Sequence, residues 1–127
     1  MGDLSANFSR SEFRCKCGCG LDAISSTLIK KLQLARDNYG RIMHITSGCR
    51  CMKNNTKAGS FSTSSHLPGK DGVCLAADIS YGAGGDLYGL IKALQFAGFT
   101  RIGINFAKHF IHCDVDDTKP QPTIFSY

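Results

Sequence analysis

Two histidines and one aspartate in the second half of the chain have the residue types of a metal site. His66 ends a polar loop, Asp78 lies in the apolar run "VCLAADIS", and His112 lies in "FIHCDVD". Alternate side chains of a strand share a face, so Asp78 and His112 would converge if these two runs were neighbouring strands. Two imidazoles and one carboxylate are a common ligand set of catalytic zinc. The spacing therefore predicts a zinc site, with a surface histidine and a turn-capping aspartate as the simpler alternatives.

The cysteines form a second group that could do chemistry. The chain has seven, of which three lie in "CKCGCG" and two in "GCRC", while Cys74 and Cys113 stand apart. In a reducing compartment such residues are thiols or metal ligands rather than disulfides. Four thiolates could bind a structural zinc, although C-x-C-x-C differs from the C-x-x-C spacing of zinc knuckles. The alternative is a set of buried thiols that pack like small hydrophobic side chains.

Composition limits the classes of protein and of partner. At 127 residues with 43% hydrophobic content, we expect one folded domain spanning residues 1–127. The net charge of +5 favours anionic partners such as nucleic acid, cell-wall polymer or a lipid surface. A cysteine-zinc module that binds nucleic acid is a rival, but the sequence lacks interleaved aromatic and basic residues, so we expect no nucleic-acid partner. No stretch approaches the roughly 18 apolar residues of a membrane span, and no signal peptide is evident.

Hydrophobic periodicity predicts the elements that must position these residues. A helix should begin at Ser25 or Ser26 and end at Gly40, and a second, "LYGLIKALQFAG", should be capped by Asp86 and end at Gly98. Strands are predicted in "RIMHITSG", "VCLAADIS", "TRIGINF" and "FIHCDVD", an edge strand in the tail, and a long polar loop over residues 49–72. The expected fold is α+β, with a small antiparallel or mixed sheet and helices packed to one side.

Three segments together resemble a known enzyme family. In order, "ITSGCRCMKNN", "STSSHLPGKDGVCLAADIS" and "FIHCDV" resemble the motif blocks of the zinc D-alanyl-D-alanine carboxypeptidase family. That family includes vancomycin-resistance dipeptidases, phage L-alanyl-D-glutamate endolysins and the hedgehog fold. The opening "NFSRSEFRCKCGCG" is similar to its phage and bacterial subgroup. The resemblance implies a zinc peptidase that cleaves peptidoglycan stem or cross-link peptides at a bond involving a D-amino acid.

The resemblance also implies a role for individual residues. It makes His66, Asp78 and His112 the zinc ligands. Arg50, at the arginine of the family's SG-x-R block, would bind the substrate carboxylate or the oxyanion. Asp114 would act on the site through hydrogen bonds that orient it. Ser64 matches the serine that precedes the first histidine by two positions, and Asn55 matches a polar position that supports the loop backbone.

The sequence departs from the family pattern at three places. His66 and Asp78 are separated by about five more residues than in the family, an insertion in "PGKDGVC" that a loop can absorb at little entropic cost. Asp71 in that insertion is a competing ligand, but Asp78 has the matching strand context. Cys49 replaces an aromatic residue, which would widen the cleft or place a thiol near the metal.

The third departure concerns the general base. His109 stands where dipeptidases and endolysins of the family have Glu or Asp. A histidine can relay a proton, so His109 is a candidate base, with a spare surface histidine as the alternative. Asp114 and Asp116 are the substitutes.

These features lead to an expectation about biology. We expect a monomer made in the host cytoplasm that acts on the cell wall after phage-type release. The rival is a non-catalytic, zinc-containing domain of the same fold that binds cell wall or protein, as the missing acidic base suggests.

Overall fold

The computed structural model describes residues 2–127. Within this range the chain forms one 3-10 turn, three α-helices and five β-strands. The 3-10 turn is Arg10–Phe13, and the helices are α1 (Ser26–Tyr39), α2 (Met52–Lys57) and α3 (Gly84–Phe96). The strands are β1 (Ile45–Ser47), β2 (Ala76–Ser80), β3 (Arg101–Asn105), β4 (Phe110–Asp114) and β5 (Thr123–Ser126). The prediction of an α+β fold is confirmed.

The two long helices begin and end at the residues that the sequence favours. The hydroxyl of Ser25 accepts a hydrogen bond from the amide of Leu28, and Gly40 ends α1 in the left-handed conformation at φ 73°. Gly98 follows α3 at φ 92°. The predicted start of α3 was late, because the helix begins at Gly84. Asp86 lies inside the first turn and accepts a hydrogen bond from the amide of Ala83.

The strands form one mixed sheet in the order β1-β2-β4-β3-β5. The first four are joined by antiparallel pairings, and β5 pairs in parallel with β3 at the edge. The edge strand predicted in the tail is therefore present. Strand β1 is shorter than predicted and contains a bulge between Ile45 and Ser47. A bulge re-aims side chains, and here it sets Ser47 opposite Asp78.

The two faces of the sheet have different chemistry. In β2 and β4, Ala77, Ile79, Ile111 and Cys113 belong to the hydrophobic core that they share with α1 and α3. The alternate positions bring Asp78 opposite His112 and Ala76 opposite Asp114 on the other face. Helices thus cover one face of the sheet, and the candidate ligands occupy the other.

One predicted loop contains a helix. Residues 52–57 form α2 inside the segment predicted to be an irregular polar loop. This short helix lacks an apolar stripe of its own and is anchored by Asn55, which is fully buried. The amide of Asn55 donates a hydrogen bond to the carbonyl of Phe61, at 2.7 Å. Tertiary contacts therefore stabilise a helix that local periodicity does not indicate.

The insertion after His66 forms a compact turn. The amide of Gly69 donates to the carbonyl of Val73, and Gly72 adopts φ 76°, which favours glycine. Asp71 is exposed at the tip of this turn. None of the helices within residues 2–127 combines the length and hydropathy that crossing a bilayer requires.

Candidate metal centre

The structure brings His66, Asp78 and His112 together. One donor atom from each lies within 4.8 Å of the others, and we call this set the histidine-aspartate cluster. His66 Nε2 lies 3.1 Å from Asp78 Oδ1, and His112 Nδ1 lies 3.2 Å from the same oxygen. All three residues are buried. Asp78 and His112 are direct partners across β2 and β4, whereas His66 reaches them from the polar loop.

The His66 ring is oriented by the backbone of the SG-x-R block. Its Nδ1–H donates to the carbonyl oxygen of Gly48 at 2.6 Å, because a carbonyl can only accept. This bond leaves Nε2 facing Asp78. The loop is held in turn by the amide of Arg50, which donates to the carbonyl of His66. The amide of His66 donates to the hydroxyl of Ser64, at 3.2 Å.

The His112 ring is oriented by a carboxylate. Its Nε2 donates to Asp114 Oδ2 at 2.7 Å, so Nδ1 is the nitrogen that faces Asp78. Asp114 also accepts from Arg101 Nε at 3.1 Å and from the backbone amide of Asp116. Its side chain is fully buried. Asp114 therefore fixes the tautomer and the angle of the imidazole, the arrangement that metal-binding histidines use.

Electrostatics within the cluster favour opposite charges. Burial alone would raise the pKa of the Asp78 carboxyl, but the neighbouring His66 and His112 lower it well below its usual range. Burial alone would lower the pKa of His112, but hydrogen bonds to Asp114 and Asp78 raise it. A metal cation that binds between such a carboxylate and such an imidazole can take the place of the proton on the imidazole nitrogen.

Arg50 lies directly beside the cluster. Its Nη2 donates to Asp78 Oδ2 at 3.1 Å, and its Nε donates to the hydroxyl of Ser47 at 3.1 Å. Its Nη1 points to the side-chain oxygen of Asn55, 3.5 Å away. Asn55 thus supports both the guanidinium and the loop backbone. The bulge in β1 and the buried amide of Asn55 together hold Arg50 at the edge of the cluster.

The cluster lines a cleft of about 1000 Å³. Basic side chains line this cleft, namely Arg50, Arg101, Lys108 and Lys119. Aromatic side chains on its wall include Phe61 and Tyr127. The Tyr127 hydroxyl is protonated at neutral pH, because the ordinary pKa of a tyrosine is about 10, and it can donate a hydrogen bond. The cleft combines positive charge with apolar wall, which suits a peptide that carries carboxylates.

Several residues that the sequence singled out lie outside the cleft. His109 is exposed on the turn between β3 and β4, and its ring stacks on Tyr81 at 5.1 Å between centroids. Tyr81 packs against the core, so His109 lies with that face of the sheet rather than with the ligands. Asp71 is likewise absent from the cluster. Neither His109 nor Asp71 lies with the three candidate ligands or lines their cleft.

Cys49 and Asp116 also have surroundings other than those expected. Cys49 is 1% exposed and belongs to the hydrophobic core with Cys74, so its thiol neither widens the cleft nor approaches the ligands. Asp116 accepts hydrogen bonds from the hydroxyls of Ser65 at 2.8 Å and Thr118 at 2.6 Å. It fastens the His66 loop to the end of β4. These bonds occupy its carboxylate, which does not line the cleft.

Sequence reasoning missed two supports of the site. Lys119 Nζ donates to the hydroxyl of Ser65 at 2.8 Å, which completes the attachment of the His66 loop. Gly103 pairs with His112 on one side and with Phe125 on the other. A Cβ at Gly103 would lie 2.4 Å from the Phe125 ring, so glycine is what lets this ring lie beside His112. The sequence did contain a signal for the turn that carries Lys119, because the D-x-T pattern at Asp116 is typical of an aspartate-capped turn.

The donor set fits zinc. One nitrogen of each histidine ring donates to a hydrogen-bond acceptor outside the cluster. The other nitrogen of each ring faces Asp78 Oδ1, so two nitrogens and one oxygen lie close together. Three protein ligands with the chemistry His, Asp, His leave a coordination position for water or substrate. The site residues therefore match a catalytic metal site rather than a closed structural one.

Comparisons with known proteins agree with this chemistry. A search of curated proteins finds no match. A family model described as Peptidase M15 matches residues 6–114, which covers the first two motif blocks, the third except for Val115, and the candidate ligands. The members of this family are zinc metallopeptidases. The chain belongs to the Peptidase M15 family.

Proposed function

We propose that this protein is a zinc-dependent peptidase that hydrolyses peptidoglycan stem or cross-link peptides at a bond involving a D-amino acid. It would act as a D,D-carboxypeptidase or as an endolysin-type endopeptidase. The observation that carries the proposal is the convergence of His66 Nε2, Asp78 Oδ1 and His112 Nδ1 in one open cleft. Membership of a peptidase family supports the reaction class.

The residues of the cluster have separate tasks. Zinc bound by His66, Asp78 and His112 supplies Lewis-acid polarisation of a carbonyl and lowers the pKa of a water molecule. Asp114 holds the His112 ring in its ligating tautomer. The carbonyl of Gly48 does the same for His66. Hydrogen bonds from the chain thus preorganise both imidazoles before metal arrives.

Arg50 and Tyr127 are the donors that would face the substrate. Arg50 would bind the substrate carboxylate or the oxyanion that develops on the scissile carbonyl, where a fixed donor has its largest effect. Its guanidinium is already oriented by Ser47 and Asn55. Tyr127 lines the cleft with a hydroxyl that is protonated at neutral pH, and it can donate to a backbone carbonyl of the peptide.

The charge of the cleft supports an anionic peptide substrate. Lys108 and Lys119 line the cleft together with two arginines, and stem peptides carry free carboxylates. The net charge of +5 favours the anionic wall as well.

We propose that the protein is made in the host cytoplasm and acts at the cell wall after phage-type release. We propose that it acts as a monomer.

One observation favours a second candidate function, a non-catalytic zinc-containing domain that binds cell wall or protein. Among residues 2–127, Asp78 is the sole residue with a carboxylate side chain that lines the cleft, and it is itself a candidate ligand. Asp114 is fully buried and bonded to His112 and Arg101, so it is not free to accept a proton from water. A domain that keeps the metal but lacks a proton acceptor would bind without cleaving.

One experiment separates the two functions. Zinc per chain is measured by mass spectrometry for the protein and for His66→Ala, with the exposed histidine variant His44→Ala as the matched control. Each protein is then incubated with purified sacculi, and released peptides are identified by their new termini. We expect His66→Ala to lose zinc and product together, while His44→Ala retains both.

The outcomes distinguish the proposals. Zinc binding with sedimentation on sacculi but no released peptide would support the binding domain and contradict the peptidase. Zinc content that is unchanged in His66→Ala would contradict the ligand assignment that both candidates share.

A further inference from the structure

A second set of potential ligands lies away from the cleft. One sulfur from each of Cys15, Cys17, Cys19 and Cys51 lies within 4.8 Å of the others, and we call this set the four-cysteine cluster. We propose that these four side chains bind a zinc ion as thiolates, at a structural site separate from the histidine-aspartate cluster. Cys49, Cys74 and Cys113 take no part in it, because they are buried in the hydrophobic core.

The distances between the sulfur atoms match a tetrahedral metal site. Cys15 Sγ lies 3.5 Å from Cys17 Sγ and 3.8 Å from Cys51 Sγ, and Cys17 Sγ lies 3.5 Å from Cys51 Sγ. Zinc bonds to sulfur are about 2.3 Å long, so the edges of a tetrahedral site are about 3.8 Å. A disulfide would require about 2.05 Å. The spacing therefore agrees with four ligands around one ion.

The backbone explains how a C-x-C-x-C segment reaches this geometry. In an extended strand, Cys15 and Cys19 would lie about 13 Å apart, too far to bind one ion. The amide of Gly18 donates to the carbonyl of Cys15, and Gly18 adopts a φ of 84°, so the chain turns between the cysteines and brings them together. The amide of Cys15 donates to the carbonyl of Leu21 at 2.7 Å and closes the loop.

A backbone hydrogen bond also points to a thiolate. The amide of Cys51 donates to Cys15 Sγ at 3.4 Å, which links the two halves of the cluster. A hydrogen bond to the charged form of a group favours that form. Cys15 is buried and Cys51 is half-buried, while Cys17 and Cys19 are exposed. The cluster is thus attached to the protein on one side and open to an entering ion on the other.

The position of the cluster gives the metal a structural role. It joins the N-terminal segment to the residue that follows Arg50, across a long stretch of sequence. The same segment is already attached nearby, because the amide of Cys49 donates to the carbonyl of Phe13 at 2.8 Å. A bound ion would add a second attachment, at Cys51, to the short segment that carries Gly48 and Arg50. Metal binding of this kind contributes to folding because the unfolded chain lacks the preformed site.

The test counts metals in variants of the full chain. Cys17→Ser/Cys19→Ser changes the two exposed ligands, His66→Ala removes the other site, and Cys113→Ala is a matched cysteine control outside the cluster. We expect about two zinc ions per chain in the protein and in Cys113→Ala, and about one in each of the other two variants. Two zinc ions retained in Cys17→Ser/Cys19→Ser would overturn the proposal.

A spectroscopic measurement does not depend on how well the cysteine variant folds. His66→Ala is loaded with cobalt(II), and its near-ultraviolet absorption is recorded. We expect thiolate-to-cobalt charge transfer from four sulfur ligands, and its absence would overturn the proposal. A mass under non-reducing conditions that is lower by two hydrogens per cysteine pair, with no zinc bound, would overturn it in favour of disulfides. Loss of zinc from His66→Ala alone bears on the proposed function and leaves this site unaffected.

Discussion

The two ligand clusters are built in opposite ways. The histidine-aspartate cluster is buried, lies mainly on strands β2 and β4, and has each histidine oriented by a partner that is not a ligand. The four-cysteine cluster lies on turns and at the N-terminus of α2, is partly exposed, and is held by backbone hydrogen bonds at Cys15 as well as by contacts among its own sulfurs. The sheet preforms the first site, whereas a bound ion would complete the organisation of the second. Changes at the first should affect chemistry, and changes at the second should affect folding.

The largest effect on zinc affinity is expected from removing the negative charge of Asp78 in the histidine-aspartate cluster. Asp78→Asn removes the carboxylate that faces both histidines and Arg50. We expect zinc affinity to fall by more than the roughly 100-fold that the loss of a supporting partner costs, and peptide release to be lost. Zinc titration with a competing chelator measures the change.

The matched control for that change is Asp71→Asn, in the exposed turn of the insertion. It makes the same chemical substitution at the competing ligand and should leave zinc affinity unchanged. If Asp71→Asn lowered zinc affinity more than Asp78→Asn does, Asp71 rather than Asp78 would be the ligand.

A smaller effect is expected from the partner of His112. Asp114→Asn weakens the bond that fixes the imidazole and removes the charge that faces Arg101. We expect zinc affinity to fall by about 10–100-fold while the fold is retained. The same titration tests this, with the exposed Asp117→Asn as its control. Equal affinities in the two variants would show that the sheet orients His112 without Asp114.

Gly48 lies between the two clusters and tests how far they are coupled. A Cβ at Gly48 would lie 2.7 Å from Cα of Phe13, and the carbonyl of Gly48 orients His66. We expect Gly48→Ala to lower the free energy of unfolding by about 1–3 kcal/mol through overpacking, and zinc affinity to fall with it. Urea unfolding with and without zinc measures both.

The control for Gly48→Ala is Gly85→Ala, where an added Cβ meets nothing within 4 Å in the first turn of α3. It should be neutral or stabilising by up to about 1 kcal/mol. If Gly48→Ala behaved like this control, the close approach to Phe13 would have no energetic consequence.

The attachment of the His66 loop should depend on pH. Burial alone would raise the pKa of Asp116, but hydrogen bonds from Thr118 and Ser65 lower it. A carboxyl with a lowered folded pKa stabilises the fold above its unfolded pKa of about 3.9, and this stabilisation is lost as pH falls through the folded value. We expect Asp116→Asn to lower the free energy of unfolding by about 1–2 kcal/mol at pH 7.

The difference in free energy of unfolding between the protein and Asp116→Asn should stay constant from about pH 7 to pH 5 and shrink below about pH 4. Urea unfolding in chelator, which excludes metal from both proteins, measures it. A difference that grows on acidification would contradict the sign of the shift.

The smallest effect is expected at the residue that sequence reasoning named as the base. His109→Asn changes an exposed side chain at φ 55°, a conformation that asparagine tolerates well. We expect zinc affinity and peptide release to be unchanged and stability to change by less than about 0.5 kcal/mol. A profile of peptide release against pH measures it. A large loss of hydrolysis without loss of zinc would restore His109 as the base.

Local patterns predicted the long elements because their causes are local. The apolar stripe of α1 and its caps at Ser25 and Gly40 are within one segment, and so is the alternation of β2 and β4. The pairing of Asp78 with His112 followed from that alternation once the strands were neighbours.

The features that sequence reasoning missed depend on distant contacts. Helix α2 depends on buried Asn55 and on the carbonyl of Phe61 rather than on its own periodicity. The thiol of Cys49 faces the core because Cys74 lies there, which no local pattern indicates. The sequence resemblance suggested His109 as the base, whereas the turn between β3 and β4 directs its ring onto Tyr81. Spacing predicts which residues could meet, and packing decides which way their side chains face.

The metal ligands can be identified directly from an anomalous difference map recorded at the zinc absorption edge with crystals of the zinc-loaded protein. We expect a peak bonded to His66 Nε2, Asp78 Oδ1 and His112 Nδ1, with bond lengths of about 2.0–2.2 Å. Zinc bonded to His66 Nδ1 or to His112 Nε2, or no peak between these three side chains, would contradict this assignment.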